Sequence, residues 1–396
     1  MKKVLSLVLV FCLAISLFGC ASSSKQASTN GEKIIKLGVF EPQTGENGGG
    51  GIQEVYGVRY ANQIYNTVNV GGETYKIQLV EVDNKSDKTE AVNAAQKLIA
   101  EKVSGVIGSY GSGVSIAAGE YFKEAKIPAV GCSCTNPQVT NGNEYYFRVC
   151  FLDPFQGTVM ASYAMKHGYS KVAVITQLGD DYSEGLGGFF VKACEKNGIE
   201  VVAAEKFQTN EQDFKAILTN IKSKNPDFVF APSSIATAPL ILSQAKELGL
   251  ECQFGGGDTW ENGTIIDNAH GAAEGMVVTT FYEADPANAK GEDAIFLNGN
   301  GTLTGFSNYL VSIGQPATIP AVSALGYDSY LALYKAIEKA GSVKGEDIKE
   351  ALKTLNFNGV TGDISFNADG DANKNSAYIK EVKGGKFVFK EITKID

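Results

Sequence analysis

Three hydroxyl side chains stand in two neighbouring loops of this chain. Ser112 follows the run GVIGSYG, and Ser133 and Thr135 follow KIPAVGC. Gly105 to Ser109 is a short apolar stretch ending in glycine, the pattern of a buried strand entering a tight loop. The segment after Ser112 repeats apolar residues at helical spacing, so Ser112 reads as a helix N-cap. Ile127 to Val130 reads as a second strand. Hydroxyls and free N–H groups at a helix start favour an anion, and a small carboxylate suits them. The bland alternative is that Ser112 and Thr135 only cap local turns. Farther on, Asp258 follows three glycines in FGGGDTW. It can accept from an ammonium, or serve as a cap or turn residue. An anion site, a carboxylate and an apolar pocket together are what a zwitterionic amino acid needs.

Other chemistries find little support. The only histidines, His167 and His270, sit in no Ser/His or metal-ligand motif. Cys132-Ser133-Cys134 lacks zinc-ligand spacing, and no base stands near it in sequence to activate a thiol. The glycine-rich EPQTGENGGGG has neither the Lys-Ser/Thr of a P-loop nor dinucleotide spacing. The chain therefore reads as a binding protein without enzymatic activity, cofactor or metal. A formal charge of −9 argues against nucleic acid as a partner.

Met1-Lys2-Lys3 followed by apolar Val4 to Phe18 is a signal peptide pattern, too short to span a membrane. Gly19-Cys20 resembles the bacterial lipobox, with Phe18 bulkier than usual there, so Cys20 is the expected lipidation site. ASSSKQASTNGEK is then a flexible tether on the outer side of the membrane. Loss of residues 1–19, which carry two lysines, would take the charge of −9 to −11. Of seven cysteines, Cys132, Cys134, Cys150, Cys194 and Cys252 remain beyond Cys20. Small buried side chains are expected there, with a disulfide open as an alternative.

Strand and helix patterns alternate from Ile34 to Phe281, which calls for α/β architecture with parallel sheets covered on both faces. Ligands in such sheets sit outside the carboxyl ends of the strands. A helix is expected over Gln53–Tyr65, and the tail from Gly359 reads as a hairpin turning at Asp369-Gly370.

The run VIGSYGSGVS…IPAVGCSCTNPQVT…YYFRV resembles the Leu/Ile/Val-binding protein family, amino-acid receptors of ABC transporters, and the likeness spans essentially the whole mature chain. It implies a type I periplasmic binding protein fold: two Rossmann-like lobes joined by three hinge crossings, near residues 152, 281 and 358. Lobe I would then be 34–152 with 282–358, and lobe II 153–281 with 359–396. It implies that Ser112, Ser133 and Thr135 grip the ligand's carboxylate and ammonium, that Asp258 takes the ammonium, and that Tyr182 reaches across from lobe II. Tyr110, Trp260 and Tyr327 are further cleft candidates, with core packing as the alternative for the last two. A large aromatic often stands where this chain has Gly50, which would leave the side-chain end of the pocket wider. The implied role is a monomeric receptor handing an amino acid to an ABC permease. The alternatives are an amide, short peptide, nucleoside or aromatic acid as ligand, or a sensor for a separate membrane receptor.

Overall fold

The computed structural model describes residues 32–394. The signal peptide, Cys20 and nearly all of the tether lie outside the described residues. Lobe I begins with β1 (Ile34–Glu41), α1 (Gly48–Ile64), β2 (Thr67–Val70), β3 (Glu73–Asp83), α2 (Lys88–Ala100), β4 (Gly105–Ile107), α3 (Ser112–Glu124), β5 (Ala129–Gly131) and β6 (Tyr146–Arg148). Lobe II holds α4 (Asp153–Lys166), β7 (Lys171–Gln177), α5 (Asp181–Lys196), β8 (Glu200–Phe207), α6 (Lys215–Ser223), β9 (Phe228–Phe230), α7 (Ala238–Glu247), β10 (Gln253–Gly256), α8 (Gly263–Asn268) and β11 (Val277–Thr280). The chain continues through α9 (Gly291–Asn298), α10 (Phe306–Ser312), α11 (Ala321–Ala340), α12 (Gly345–Lys353), β12 (Asn356–Gly359), β13 (Gly362–Ser365), β14 (Ser376–Lys383) and β15 (Lys386–Lys394).

The first sheet runs β2-β3-β1-β4-β5-β6 and the second β15-β14-β11-β10-β9-β7-β8. Their central strands pair in parallel, with β2 antiparallel at one edge and β14 and β15 antiparallel at another. Val39, Val106 and Val130 in one sheet, and Val172 to Ile175 in the other, are buried. Helices on both faces make that necessary, and it explains why these strands read as unbroken apolar runs. The strand order reverses between β1 and β4 in lobe I and between β7 and β9 in lobe II. Crevices open at such switch points, and the two face each other.

Local chemistry sets the helix boundaries. Asp87 caps α2 by accepting from the N–H groups of Thr89 and Glu90, and Lys97 lies in its last turn. The 20-residue α11 ends at Gly341 in the left-handed region (φ 57°). Helix α1 starts at Gly48 rather than near Gln53, because the glycine run forms its first turn. Gly111, not Ser112, occupies the cap of α3.

The chain passes between sheets after β6, after β11 and between β13 and β14. The third passage comes later than residue 358 for a visible reason. Asp328 on α11 accepts from the N–H groups of Val360 and Thr361, both at 2.8 Å, holding the β12–β13 hairpin on lobe I. The tail thus contains two hairpins, β12–β13 and β14–β15, the latter turning at Gly384-Gly385. Asp369-Gly370 lies in the connection between them. Phe151 and Phe281, in the first two passages, stack with ring centroids 4.3 Å apart. The described cysteines are all free thiols, with Cys132, Cys134, Cys150 and Cys194 buried and Cys252 partly exposed. Among the described residues no helix is long and apolar enough to cross a membrane.

Candidate functional site

The cleft between the lobes encloses about 470 Å³. Tyr110, Ser112 and Ser133 line it from lobe I, and Gln177, Asp180, Tyr182 and Thr259 from lobe II.

On the lobe I side the hydroxyls do different work. Ser112 Oγ accepts the Asn136 N–H at 3.1 Å, so its own proton is free for an anion. That bond also ties the start of α3 to the loop after β5. Ser133 Oγ instead donates to Glu54 Oε1 at 2.5 Å, so its proton is committed within the protein. Thr135 Oγ is buried beside the Asp153 carboxyl, whose ionised form its hydroxyl favours, and the Asp153 N–H donates to the Thr135 carbonyl at 3.0 Å. Its loop is held by Arg148, fully buried, which donates to the carbonyls of Cys134 (2.7 Å) and Asn136 (2.6 Å) on either side of Thr135. The same guanidinium pairs with Asp371 at 2.6 Å, in the third passage between lobes. Charge-assisted, multiply bonded arginines of this kind fix geometry. The loop that carries Thr135 and the third passage between lobes therefore share one clamp.

On the lobe II side the central group is Asp258, 3% exposed, in the short 3₁₀ turn after β10. Its Oδ1 accepts from Gln156 Nε2 at 2.6 Å and from Tyr182 Oη at 2.9 Å. A Cβ on Gly257 would fall 2.1 Å from Tyr182 Oη, so glycine is what lets the phenol reach Asp258. Burial pushes the Asp258 carboxyl up to about 6, against the two hydrogen bonds that favour its ionised form. Asp153, at the start of α4, is also fully buried, with no partner for its carboxyl beyond the Thr135 hydroxyl.

Behind the lobe I wall lie Glu41 and Glu54, both fully buried. Glu41 accepts the Tyr110 N–H at 2.6 Å. Each offers an oxygen, and Cys132 its sulfur, within 4.8 Å of one another. Burial raises both carboxyls, Glu41 to about 8, and Glu54 rises further because Glu41 lies beside it. Glu54 Oε2 and Glu41 Oε1 find no other donor, and the two carboxyls hydrogen-bond each other, Glu54 carrying the proton. Among the described residues no lysine, arginine or histidine pairs with Glu41, Glu54, Asp153 or Asp258.

The lobes touch directly. Asn47 Oδ1 accepts the Ile235 N–H at 3.1 Å, Gln177 Nε2 donates to Glu46 at 3.0 Å, and Lys88 pairs with Asp181 at 2.8 Å. Asn136 Nδ2 donates to the Asp181 carbonyl at 2.6 Å, and Tyr110 Oη to the Thr259 carbonyl at 3.4 Å. This is a closed arrangement.

The predicted residues divide. Tyr110, Ser112, Ser133 and Tyr182 line the cleft, whereas Thr135 and Asp258 are buried behind it, Asp258 in contact with the Tyr182 hydroxyl. Trp260 does not line it: its indole donates toward Ser233, at 3.2 Å to the carbonyl, and packs on Gly256 inside lobe II. Tyr327 is in the lobe I core, against Phe296 and Tyr60, with its hydroxyl on Glu292. The space expected beside Gly50 is filled, because a Cβ there would fall 2.3 Å from the Tyr110 ring. Sequence reasoning missed Glu41, Glu54, Gln156 and Arg148. A periodicity signal existed for Glu54, an acid on the otherwise small and apolar face of α1 one turn after Gly50. The others carried none.

The chain matches the periplasmic binding protein family over residues 34–386. It is 29% identical over 362 residues to a leucine-, isoleucine-, valine-, threonine- and alanine-binding protein of Pseudomonas aeruginosa, covering 90% of this chain and 91% of that one. A leucine-binding protein from Thermotoga maritima superposes with TM-score 0.83 at 35% identity, over 91% of this chain and 99% of that one. The substrate-binding protein of a branched-chain amino acid transporter from Streptococcus pneumoniae, in complex with isoleucine, gives 0.80 at 28% identity, over 92% and 100%. With two facing α/β lobes, a polar cleft between them and a family match across nearly all the described residues, this chain belongs to the periplasmic binding protein family.

Proposed function

We propose that the chain captures one amino acid between its lobes outside the cytoplasm and hands it to an ABC permease. The observation that carries this is Asp258, a carboxylate buried behind the cleft wall, oriented by Gln156 and by the cleft-lining Tyr182, with no cationic partner among the described residues. The ligand ammonium supplies the missing charge to Asp258. Its carboxylate takes the Ser112 hydroxyl and the N–H groups at the start of α3. Thr135 serves either group. Bridging the lobes, the ligand favours the closed form by its differential affinity for it, and the permease would recognise that form. Lipidation at Cys20 and a monomeric state complete this reading, with the leader pattern as support for the first. Binding alone requires no catalytic group.

The relatives bind branched-chain and small amino acids by name. That supports the amino-acid class for this chain. A thermal-shift screen of residues 21–396, refolded from denaturant, tests it. Ligand at 100 times its Kd adds about 2.7 kcal/mol, a shift of several degrees. A response to amino acids that disappears in Asp258→Ala supports the reading. A flat amino-acid panel with an amide or nucleoside response overturns it.

A further inference from the structure

We infer that Lys380 is a positioning residue of the lobe II site: through Glu261 it fastens the turn that carries Asp258 to the second passage between the lobes. This rests on the reading that Asp258 receives the ligand's ammonium, and it says what holds that carboxylate in place.

Lys380 lies within β14 and is 6% exposed. A lysine that deep almost always has partners, and this one has two. Its Nζ donates to Glu261 Oε1 at 2.5 Å and pairs with Glu283 Oε2 at 2.9 Å. Glu261, itself buried, accepts the Thr280 hydroxyl on its other oxygen. Among the described residues no other cation pairs with either carboxylate.

Each partner sits where it bears on Asp258. Glu261 directly follows the Asp258–Trp260 turn, and its N–H donates to the Asp258 carbonyl at 3.0 Å. Thr280 is the last residue of β11, and Glu283 lies just beyond it, where the chain leaves lobe II. The Asp258 side chain is held from the same strand. Gln156, which donates to Asp258 Oδ1, also donates to Thr279 Oγ1 at 2.8 Å. Consecutive threonines at the end of β11 thus hold Asp258 from two sides, its side chain through Gln156 and its backbone through Glu261. Lys380 supplies the charge that keeps the second of these in place.

Packing alone does not call for this arrangement. A buried ion pair gives up solvation, and replacing it by apolar side chains of similar volume is often neutral for stability. What it adds is fixed geometry, because a group whose supporting residues are loose is itself misplaced. Arg148 joins the Thr135 loop to the third passage in the same manner. The loops of Thr135 and Asp258 are therefore each fastened by one buried cation to a different passage.

The test is calorimetric titration of refolded residues 21–396, which include the whole folded unit beginning at Lys33. The probes are the amino acid that responds most strongly in the thermal screen and its desamino acid (for leucine, 4-methylpentanoate). The ratio of the two affinities reads the ammonium contact apart from the rest of the site. In Lys380→Met that ratio should fall by about fivefold or more, part of what a hydrogen bond to a charged group contributes. Lys380→Arg, which keeps a cation suited to a buried pair, should recover most of the wild-type ratio. A Lys380→Met protein that melts cooperatively and keeps the wild-type ratio, whether or not both ligands bind more weakly, overturns the inference. Should that variant fail to melt cooperatively, Thr280→Val decides in its place: a lowered ratio supports the inference and an unchanged one overturns it. A wild-type ratio near one overturns the Asp258 reading itself, which the unchanged ratio in a variant would leave standing.

Discussion

The two walls of the cleft solve opposite problems. Lobe I presents small donors, Ser112 and Thr135 with the backbone around them, on a loop clamped by Arg148. Lobe II holds several carboxyls, Asp153, Asp180 and Asp258, and of these Asp258 is clamped by Gln156 and Tyr182. The lobe I donors are uncharged and the lobe II carboxyl is acidic, and in the reading proposed above each group finds its complement on the ligand. On that reading a ligand with both charges satisfies the two walls at once, and closure would be tied to the zwitterion. The lobe I wall adds a second layer, the Glu41–Glu54 pair, which lobe II lacks.

That contrast can be broken from either side. The largest effect is expected at Arg148→Met, which strands Asp371 and releases the carbonyls flanking Thr135. Removing one partner of a buried pair costs about 3–5 kcal/mol, to be read from chemical denaturation. Asp258→Ala should next weaken ligand binding by about 10- to 150-fold with little change in melting temperature, as measured by titration calorimetry. Thr135→Val, which keeps shape and removes the hydroxyl, should weaken it about tenfold.

Acidity separates the walls in another way. Burial raises the Asp258 carboxyl to about 6, and a ligand ammonium would favour its ionised form. Affinity should therefore hold above pH 7 and fall as pH drops below 6, by about tenfold per unit at the limit. Asp258→Asn should flatten that profile. For the fold alone the sign is reversed. The raised carboxyl favours its protonated form in the native state, so its contribution is present near pH 4 and lost as pH rises through about 6. The smallest effect is expected from Lys88→Ala, which removes an exposed ion pair across the cleft. Such pairs contribute about 0.2–1 kcal/mol, so ligand release measured by stopped flow should quicken by less than about fivefold.

Much of the fold was legible because alternation of short apolar runs with helical patterns admits few arrangements. The place of Ser112, Ser133, Thr135 and Asp258 just beyond strand ends was legible because small polar residues follow short apolar or glycine-rich runs there. Trp260 and Tyr327 were misplaced as cleft residues, since an aromatic near a strand end looks the same whether it faces the cleft or the core. Gly50 misled for a related reason: a missing side chain implies space only until a distant residue, here Tyr110, is known to fill it. Gln156 and Arg148 act on groups far along the chain, and no local pattern announces such partners. The third passage was set too early because Asp328, some thirty residues upstream, holds the hairpin.

The central claim is that Asp258 receives the ligand's ammonium, and a double-mutant cycle with the ligand tests it most directly. The best-binding amino acid and its desamino acid, the same molecule without the ammonium, would be titrated into the wild type and Asp258→Ala. The account predicts that loss of the ammonium weakens wild-type binding by more than tenfold but changes binding to Asp258→Ala by little. An equal loss in both proteins would show that the ammonium binds elsewhere and would contradict it.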